Sequence, residues 1–406
     1  MASLLFLHID RLLMADNTLT AVRKGSEMRE VPSLDNAWLL LENGVVKGFG
    51  GMESAPGHTD EVVDAKGRFV LPAFVDSHTH LVFATGREEE FAMRIAGKTY
   101  EEIAAASGGI LNSARKLREM PEEALFDAAL ARLEKLRNQG TGAIEIKSGY
   151  GLTTASELKM LRVIRKLKEQ SAMPIKSTFL GAHALPDQYK NDKDGYISLI
   201  IDEMLPKIAT EGLADYIDVF CEQGYFTNAD TDRILEAGWK FGLKPKIHVN
   251  QFTNSGGVQT GIRHKALTVD HLEVMGQAEI DALKASETLP VALPGCSFFI
   301  NIPYTPARSI IDAGLPLVLA SDFNPGSSPS GNMAFVMALA CTQMKMTPEE
   351  ALTAATINGA AAMELEHSTG SISIGKKPGI ILTKPMRSLA EIPYYFGDDL
   401  VERVFY

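Results

Sequence analysis

Cysteine is scarce in this chain. Its 406 residues include three, Cys221, Cys296 and Cys341, odd in number, far apart and in apolar surroundings. That excludes a disulfide framework and reads as buried, reduced thiols in a cytosolic protein. Long apolar runs are also missing. No stretch approaches the roughly 20 residues that span a bilayer without meeting a charge, Pro or Gly. The opening "MASLLFLHIDRLLMADN" has no basic leader, and His8, Asp10 and Arg11 interrupt it, so neither a signal peptide nor an anchor is expected. Positive charge is in deficit, 40 Lys and Arg against 51 Asp and Glu, for a formal net charge of −11. Nucleic acid and anionic membrane surfaces are therefore excluded as natural partners. A small anionic substrate would need a local cationic pocket. There is no low-complexity tract or short-period repeat. A cytoplasmic protein is expected, with a homodimer open as its assembly.

What is present is an ordinary globular balance, 45% hydrophobic and 22% charged, enough to bury a large core without disulfides or a structural metal. Residues 1–70 hold short apolar runs broken by Asn-Gly and Gly, which are strand and hairpin signals. Eight β-rich runs follow: 73–80, 142–149, 175–184, 216–224, 245–251, 266–272, 290–296 and 316–324. Between them lie segments of helical periodicity such as "PEEALFDAALARLEKLRNQG" and "DGYISLIIDEMLPKIATEG". Eight strand–helix alternations over about 250 residues predict an α/β fold, a (β/α)8 barrel of the TIM type. "SISIGKKPGIILTKP" returns to strand patterning near the C-terminus. The expected organisation is a barrel over 70–369 and a small β-sandwich domain built from both chain ends, 1–69 with 370–406.

Five of the nine histidines, His78, His80, His183, His248 and His271, fall at the C-terminal ends of these runs, as do Asp322 and Asn324. In a barrel those ends converge on one face. His78 and His80, two apart on a strand, project to the same side. With His248 and Asp322 they make a three-His, one-Asp set suited to one divalent ion, Zn²⁺ or Fe²⁺. An H-x-H pair by itself also fits polar residues bonded to loops at a strand end. His8, His58, His264 and His367 lack the strand register and read as unrelated to a site. Glu145 and Lys147 alternate on one strand and read as an interior ion pair. Met333, Met337 and Met344 read as core.

Several segments, "LPAFVDSHTHLVFATGREEEF", "IEIKSGYGL", "STFLGAHALP", "TVDHL" and "LVLASDFNPGS" among them, resemble the imidazolonepropionases, a family of the amidohydrolase superfamily. The resemblance runs from about residue 70 to 365. It implies a metal-dependent hydrolase that opens the ring of 4-imidazolone-5-propanoate to N-formimidoyl-L-glutamate in histidine degradation. By matching motifs it implies metal ligation by His78, His80, His248 and Asp322, and proton handling by Asp322 and His271. It also implies substrate contacts from Arg87, Tyr150, His183, Asn324, Gly326 and Ser327, with Tyr100 a further candidate. Arg suits a propanoate because its planar fork donates in pairs. Arg87 also has Glu88, Glu89 and Glu90 beside it as surface partners, and a Tyr opening a helix, like Tyr100, can simply pack.

Two departures stand out. The family's usual glutamate is Gln251 here. Glutamine cannot exchange a proton, so its expected role is to orient water or a ring nitrogen. The superfamily's Ala-Asp pair after Gly-Lys is Pro378–Gly379. The rivals left open are another cyclic-amide hydrolase or deaminase of the superfamily, and a metal-binding barrel without turnover.

Overall fold

The computed structural model describes residues 3–18, 20–57, 59–98, 102 and 108–406. Its strands are β1 Ser3–Leu13, β2 Ser33–Glu42, β3 Val45–Gly51, β4 Glu61–Asp64, β5 Arg68–Pro72, β6 Phe74–Thr79, β7 Thr141–Lys147 and β8 Ile175–Ala182. β9 Tyr216–Cys221, β10 Lys244–Val249, β11 Thr268–His271, β12 Leu289–Ala292, β13 Val318–Leu319, β14 Ile380–Pro385 and β15 Val401–Phe405 complete the set.

Strands β6 to β13 form one sheet in chain order, each parallel to the next. All are buried on both faces apart from isolated positions, as expected when helices cover the outside and side chains fill the inside. The ring is drawn shut between β13 and β6 by backbone bonds: Asp322 N–H donates to His78 O (3.0 Å) and His80 N–H to Phe323 O (2.9 Å). Ser321 Oγ adds a bond to Asp76 Oδ2 (2.5 Å). Three residues with site character thus sit on the seam of the barrel.

The helices begin where the side chains allow it. Thr227 and Asp230 exchange hydrogen bonds at the start of Asn228–Lys240, and Thr153 accepts from Ser156 N–H ahead of Thr154–Gln170. The segment expected as one helix over 194–212 is three pieces, Lys193–Ser198, a π turn Leu199–Met204 and Leu205–Glu211. Pro206 has no N–H to complete the regular ladder, which explains the widened turn before it. The last runs are shorter than their patterns suggested. The run over 290–296 gives way to a helix at Pro294, a favoured first helical residue. The run over 316–324 keeps only Val318–Leu319 as strand, because Asp322 turns into the left-handed region (φ 53°).

Both chain ends meet in a seven-stranded mixed sheet, β15-β14-β5-β1-β2-β3 with β4 also on β1. It encloses its own core, including Phe6, Leu39, Val70 and Ile380. The sheet folds over, since Phe6 of β1 meets Phe405 of β15 at 4.9 Å although two strands lie between them. Because β5 stays in this sheet as far as Pro72, we propose that the two units divide at Ala73, a few residues beyond the expected border.

A buried carboxylate ties the N-terminal segment to the barrel wall. Glu350 receives hydrogen bonds from Arg308 (2.9 and 3.1 Å), Arg29 (3.0 Å) and Thr347 N–H (2.8 Å). Burial opposes its charge, but these partners outweigh that and hold its pKa below the ordinary value. Glu350→Gln is expected to cost about 1–3 kcal/mol in urea unfolding at pH 7, the range for charged hydrogen bonds. A depressed folded pKa gives stability that is complete above the unfolded value of about 4.3 and is lost as pH falls through the folded one. The gap between wild type and variant should therefore close below about pH 4.

Candidate active site

The five strand-end histidines and Asp322 come together at the C-terminal mouth of the barrel. His78 Nε2 lies 3.1 Å from His248 Nε2, which lies 3.4 Å from His80 Nε2. Asp322 Oδ1 is 3.6 Å from Nε2 of both His78 and His80. All four side chains are at most 3% exposed. Burial, then the surrounding cations and imidazoles, drives the pKa of His78, His80 and His248 well down, so each is neutral at physiological pH.

The proton positions follow from what lies behind the rings. His78 Nδ1 is bonded to Asp270 Oδ2 (2.5 Å), which can only accept. His248 Nδ1 faces Asp218 Oδ2 at 2.8 Å, close though off the line of a good hydrogen bond. Both rings thus carry hydrogen on Nδ1 and a lone pair on Nε2. Two lone pairs facing each other at 3.1 Å beside a carboxylate are unfavourable unless a cation lies among them. The donor set therefore fits a divalent metal ion, with carboxylates behind the rings as such sites require.

Beside this cluster opens a cavity of about 340 Å³, within the range of small-ligand sites. A hollow of about 820 Å³ beside Cys341 and Tyr394 is larger but has none of these histidines on its walls. Arg87 turns away from the neighbouring glutamates. Its Nε donates to Ser113 Oγ (2.9 Å) and its guanidinium sits 5.9 Å from the Tyr150 ring centre. Gly326 lies against it so closely that a Cβ there would come 2.5 Å from Arg87 Nη1, so a side chain at 326 would push the guanidinium aside. Tyr150 is buried, which pushes its hydroxyl pKa up and keeps it a neutral donor. His183 donates from Nδ1 to Gly149 O (3.1 Å) and stacks on His80 at 5.3 Å. Burial lowers its pKa to about 4, which leaves Nε2 an acceptor.

Asn324 is committed to its own loop. Its Oδ1 accepts from the N–H of Gly326 (2.8 Å) and Ser327 (2.7 Å), while Nδ2 donates to Asp322 O and Ser327 Oγ. It shapes the loop beside Asp322, and the two backbone donors are turned inward. Gln251 Nε2 lies 3.3 Å from Cys296 Sγ, with the side chain on the cavity wall. His271 is held at Nδ1 by Glu273 Oε1 (3.2 Å), itself bonded to Ser297 Oγ (3.2 Å). Burial would lower the His271 pKa, but Glu273, Asp322 and Asp270 outweigh it and raise it. Burial also lifts Asp322 to about 6, against the pull of His271. His271 and Asp322 both have positive φ (88° and 53°), strain of the kind found at functional positions. Tyr100 and His58 lie outside the described residues. His8 pairs with Asp64 and His264 with Asp232, away from the cluster.

The sequence profile of the amidohydrolase family matches residues 69–405. An imidazolonepropionase of Flavobacterium johnsoniae is 58% identical over 398 residues, covering 98% of this chain and 97% of the relative. One from Christiangramia forsetii is 56% identical over 404 residues, covering 99% and 98%. The chain belongs to the imidazolonepropionase family of amidohydrolases. Among solved structures, E. coli guanine deaminase superposes with a TM-score of 0.75 at 13% identity, over 100% of this chain and 97% of the other. An adenosine deaminase from Xanthomonas campestris with bound zinc gives 0.71 at 15%, over 100% and 91%. At those identities the likeness is one of fold.

For an amidohydrolase site, sequence reasoning missed the support behind the rings. Asp218, Asp270 and Glu273 touch His248, His78 and His271. The signal was available: Asp218 in "YIDVF" and Asp270 in "TVDH" are lone acids inside otherwise apolar strands.

Proposed function

We propose that this amidohydrolase adds water across the ring amide of 4-imidazolone-5-propanoate, giving N-formimidoyl-L-glutamate. The observation that carries this is the lining: one cavity is shared by the Arg87 guanidinium, the Tyr150 phenol, the imidazoles of His80 and His248 and the Asp322 carboxylate. An anionic tail and a hydrolysable carbonyl on one small ring match those two kinds of group. The relatives at 55–58% identity carry the same activity in their names.

His78, His80, His248 and Asp322 would hold one divalent ion, zinc or iron. Such an ion lowers the pKa of water to about 7 and polarises a carbonyl. Arg87 binds the propanoate through paired hydrogen bonds, with Tyr150 beside it. Asp322 accepts the proton of the attacking water. His271 donates to the oxygen that gains charge, and the proton taken up by Asp322 passes to the leaving ring nitrogen. With Gln251 Nε2 turned to Cys296, its Oε1 is left to accept from a ring N–H. His183 Nε2 is a second acceptor for the ring. A cytoplasmic location and a homodimer belong to the same proposal. No helix among the described residues is long and apolar enough to cross a membrane.

The direct test is the loss of imidazolone propanoate absorbance with purified protein of known metal content. A metal-loaded protein without turnover would sink the reading. For the tail, Arg87→Lys is expected to lower kcat/KM by about 1–3 kcal/mol, since it keeps the charge but loses the fork. Unchanged kinetics in Arg87→Ala would show that the tail binds elsewhere.

A further inference from the structure

Beneath the converging donors, five charged side chains fill the barrel interior: Glu145 and Lys147 of β7, Asp218 of β9, Lys246 of β10 and Asp270 of β11. None is more than 1% exposed. Buried charges carry a desolvation cost that hydrophobic residues of similar size would avoid, so their arrangement calls for a reason beyond stability.

Lys147 occupies the centre. Its Nζ is 2.7 Å from Glu145 Oε1, 2.9 Å from Asp218 Oδ2 and 3.9 Å from Asp270 Oδ2. Those last two oxygens are the same atoms that face His248 Nδ1 (2.8 Å) and His78 Nδ1 (2.5 Å). One ammonium therefore contacts both carboxylates that stand behind two separate rings. Lys246 is equally buried but differently connected. It pairs with Glu145 and donates to Ser77 O (3.1 Å) and Ala362 O (2.9 Å).

We propose that Lys147 is a positioning residue for the metal centre: it pins Asp218 and Asp270, which aim Nε2 of His248 and His78 at the ion. The inference rests on the ligand set given under Proposed function. Burial alone would neutralise the ammonium. Asp218, Glu145 and Asp270 around it more than reverse that, and Lys147 stays charged. Without it, two carboxylates would repel each other and the ring orientations they set would loosen. Groups behind metal-bound histidines typically govern metal affinity by about 10–100-fold.

Zinc(II) serves as the probe, with its dissociation constant measured on the full-length, zinc-loaded protein by competition with a chromophoric chelator, substrate absent. Lys147→Met should weaken zinc binding about 10–100-fold. At saturating zinc its kcat should fall while KM for the substrate holds, because Arg87 and Tyr150 are untouched. Lys246→Met loses an equally buried ammonium, so it should lower Tm comparably yet leave the zinc constant unchanged. Wild-type zinc affinity in Lys147→Met, or equal weakening in Lys246→Met, would overturn the proposal. Should Lys147→Met not fold, the charge-balanced Lys147→Met/Glu145→Gln variant keeps Asp218 and Asp270 and takes the same test. Wild-type affinity there overturns the proposal equally. Absence of turnover in the wild type would count against the proposed function alone, since the zinc constants are read without substrate.

Discussion

Asp322→Ala is expected to abolish turnover and to strip the protein of its metal. In the proposed reading Asp322 has two duties, and alanine ends both. Loss of a general base costs about 10²–10⁴-fold where one is required. Loss of the only carboxylate among the four donors also leaves three neutral imidazoles to hold a dication, and the water it would activate goes with the ion. His248→Ala should do the same by a different route. It deletes the nitrogen nearest the other two, at 3.1 and 3.4 Å from His78 and His80. Metal content by plasma emission, read beside the rate on imidazolone propanoate, checks both variants. Full occupancy in the two together would dismiss the ligand assignment.

His271→Ala should cost turnover about 10²–10⁴-fold while the metal stays bound. In the proposed reading His271, held from behind by Glu273, gives a proton and is not a ligand, so its loss leaves the metal in place. Gln251→Ala should be milder, since in the proposed reading glutamine holds a ring nitrogen and moves no proton. Gln251→Glu should stay active, with a pH profile altered by the new titrating group. A wild type that is silent on imidazolone propanoate beside an active Gln251→Glu would mean that the missing glutamate had cost this barrel its chemistry. The geometry argues the other way: Glu273 holds His271 by Nδ1, so a proton-transfer group stands at the site without a glutamate at position 251.

Much of the architecture was legible because it is periodic. Barrel strands buried on both faces must read as short apolar runs, helices must show the 3.6-residue repeat, and eight alternations leave few folds to choose from. The histidines were legible for a related reason: chemistry at strand ends stands out against apolar strands. Irregular backbone was harder to read. No local pattern marks Asp322 or His271 as left-handed, since neither residue type nor spacing specifies a positive φ. The π turn follows from the missing N–H of Pro206, and the early end of the eighth strand from the turn at Asp322.

By itself the sequence determined the strand–helix order, the family, and which side chains are chemically able to bind a metal or an anionic tail. Tertiary structure alone decided how they are used. Arg87 could have paired with Glu88 on the surface, and instead it lies on Gly326 at a cavity wall. Asn324 lines the same cavity, and its amide is bonded within its own loop. Lys147 could have made one ion pair with Glu145, and it stands between two aspartates from other strands. The physical reason is common to all three. Composition and spacing specify what a side chain can bond, but inside a closed barrel the partner is whichever group another strand brings within about 3 Å, where water no longer competes for it.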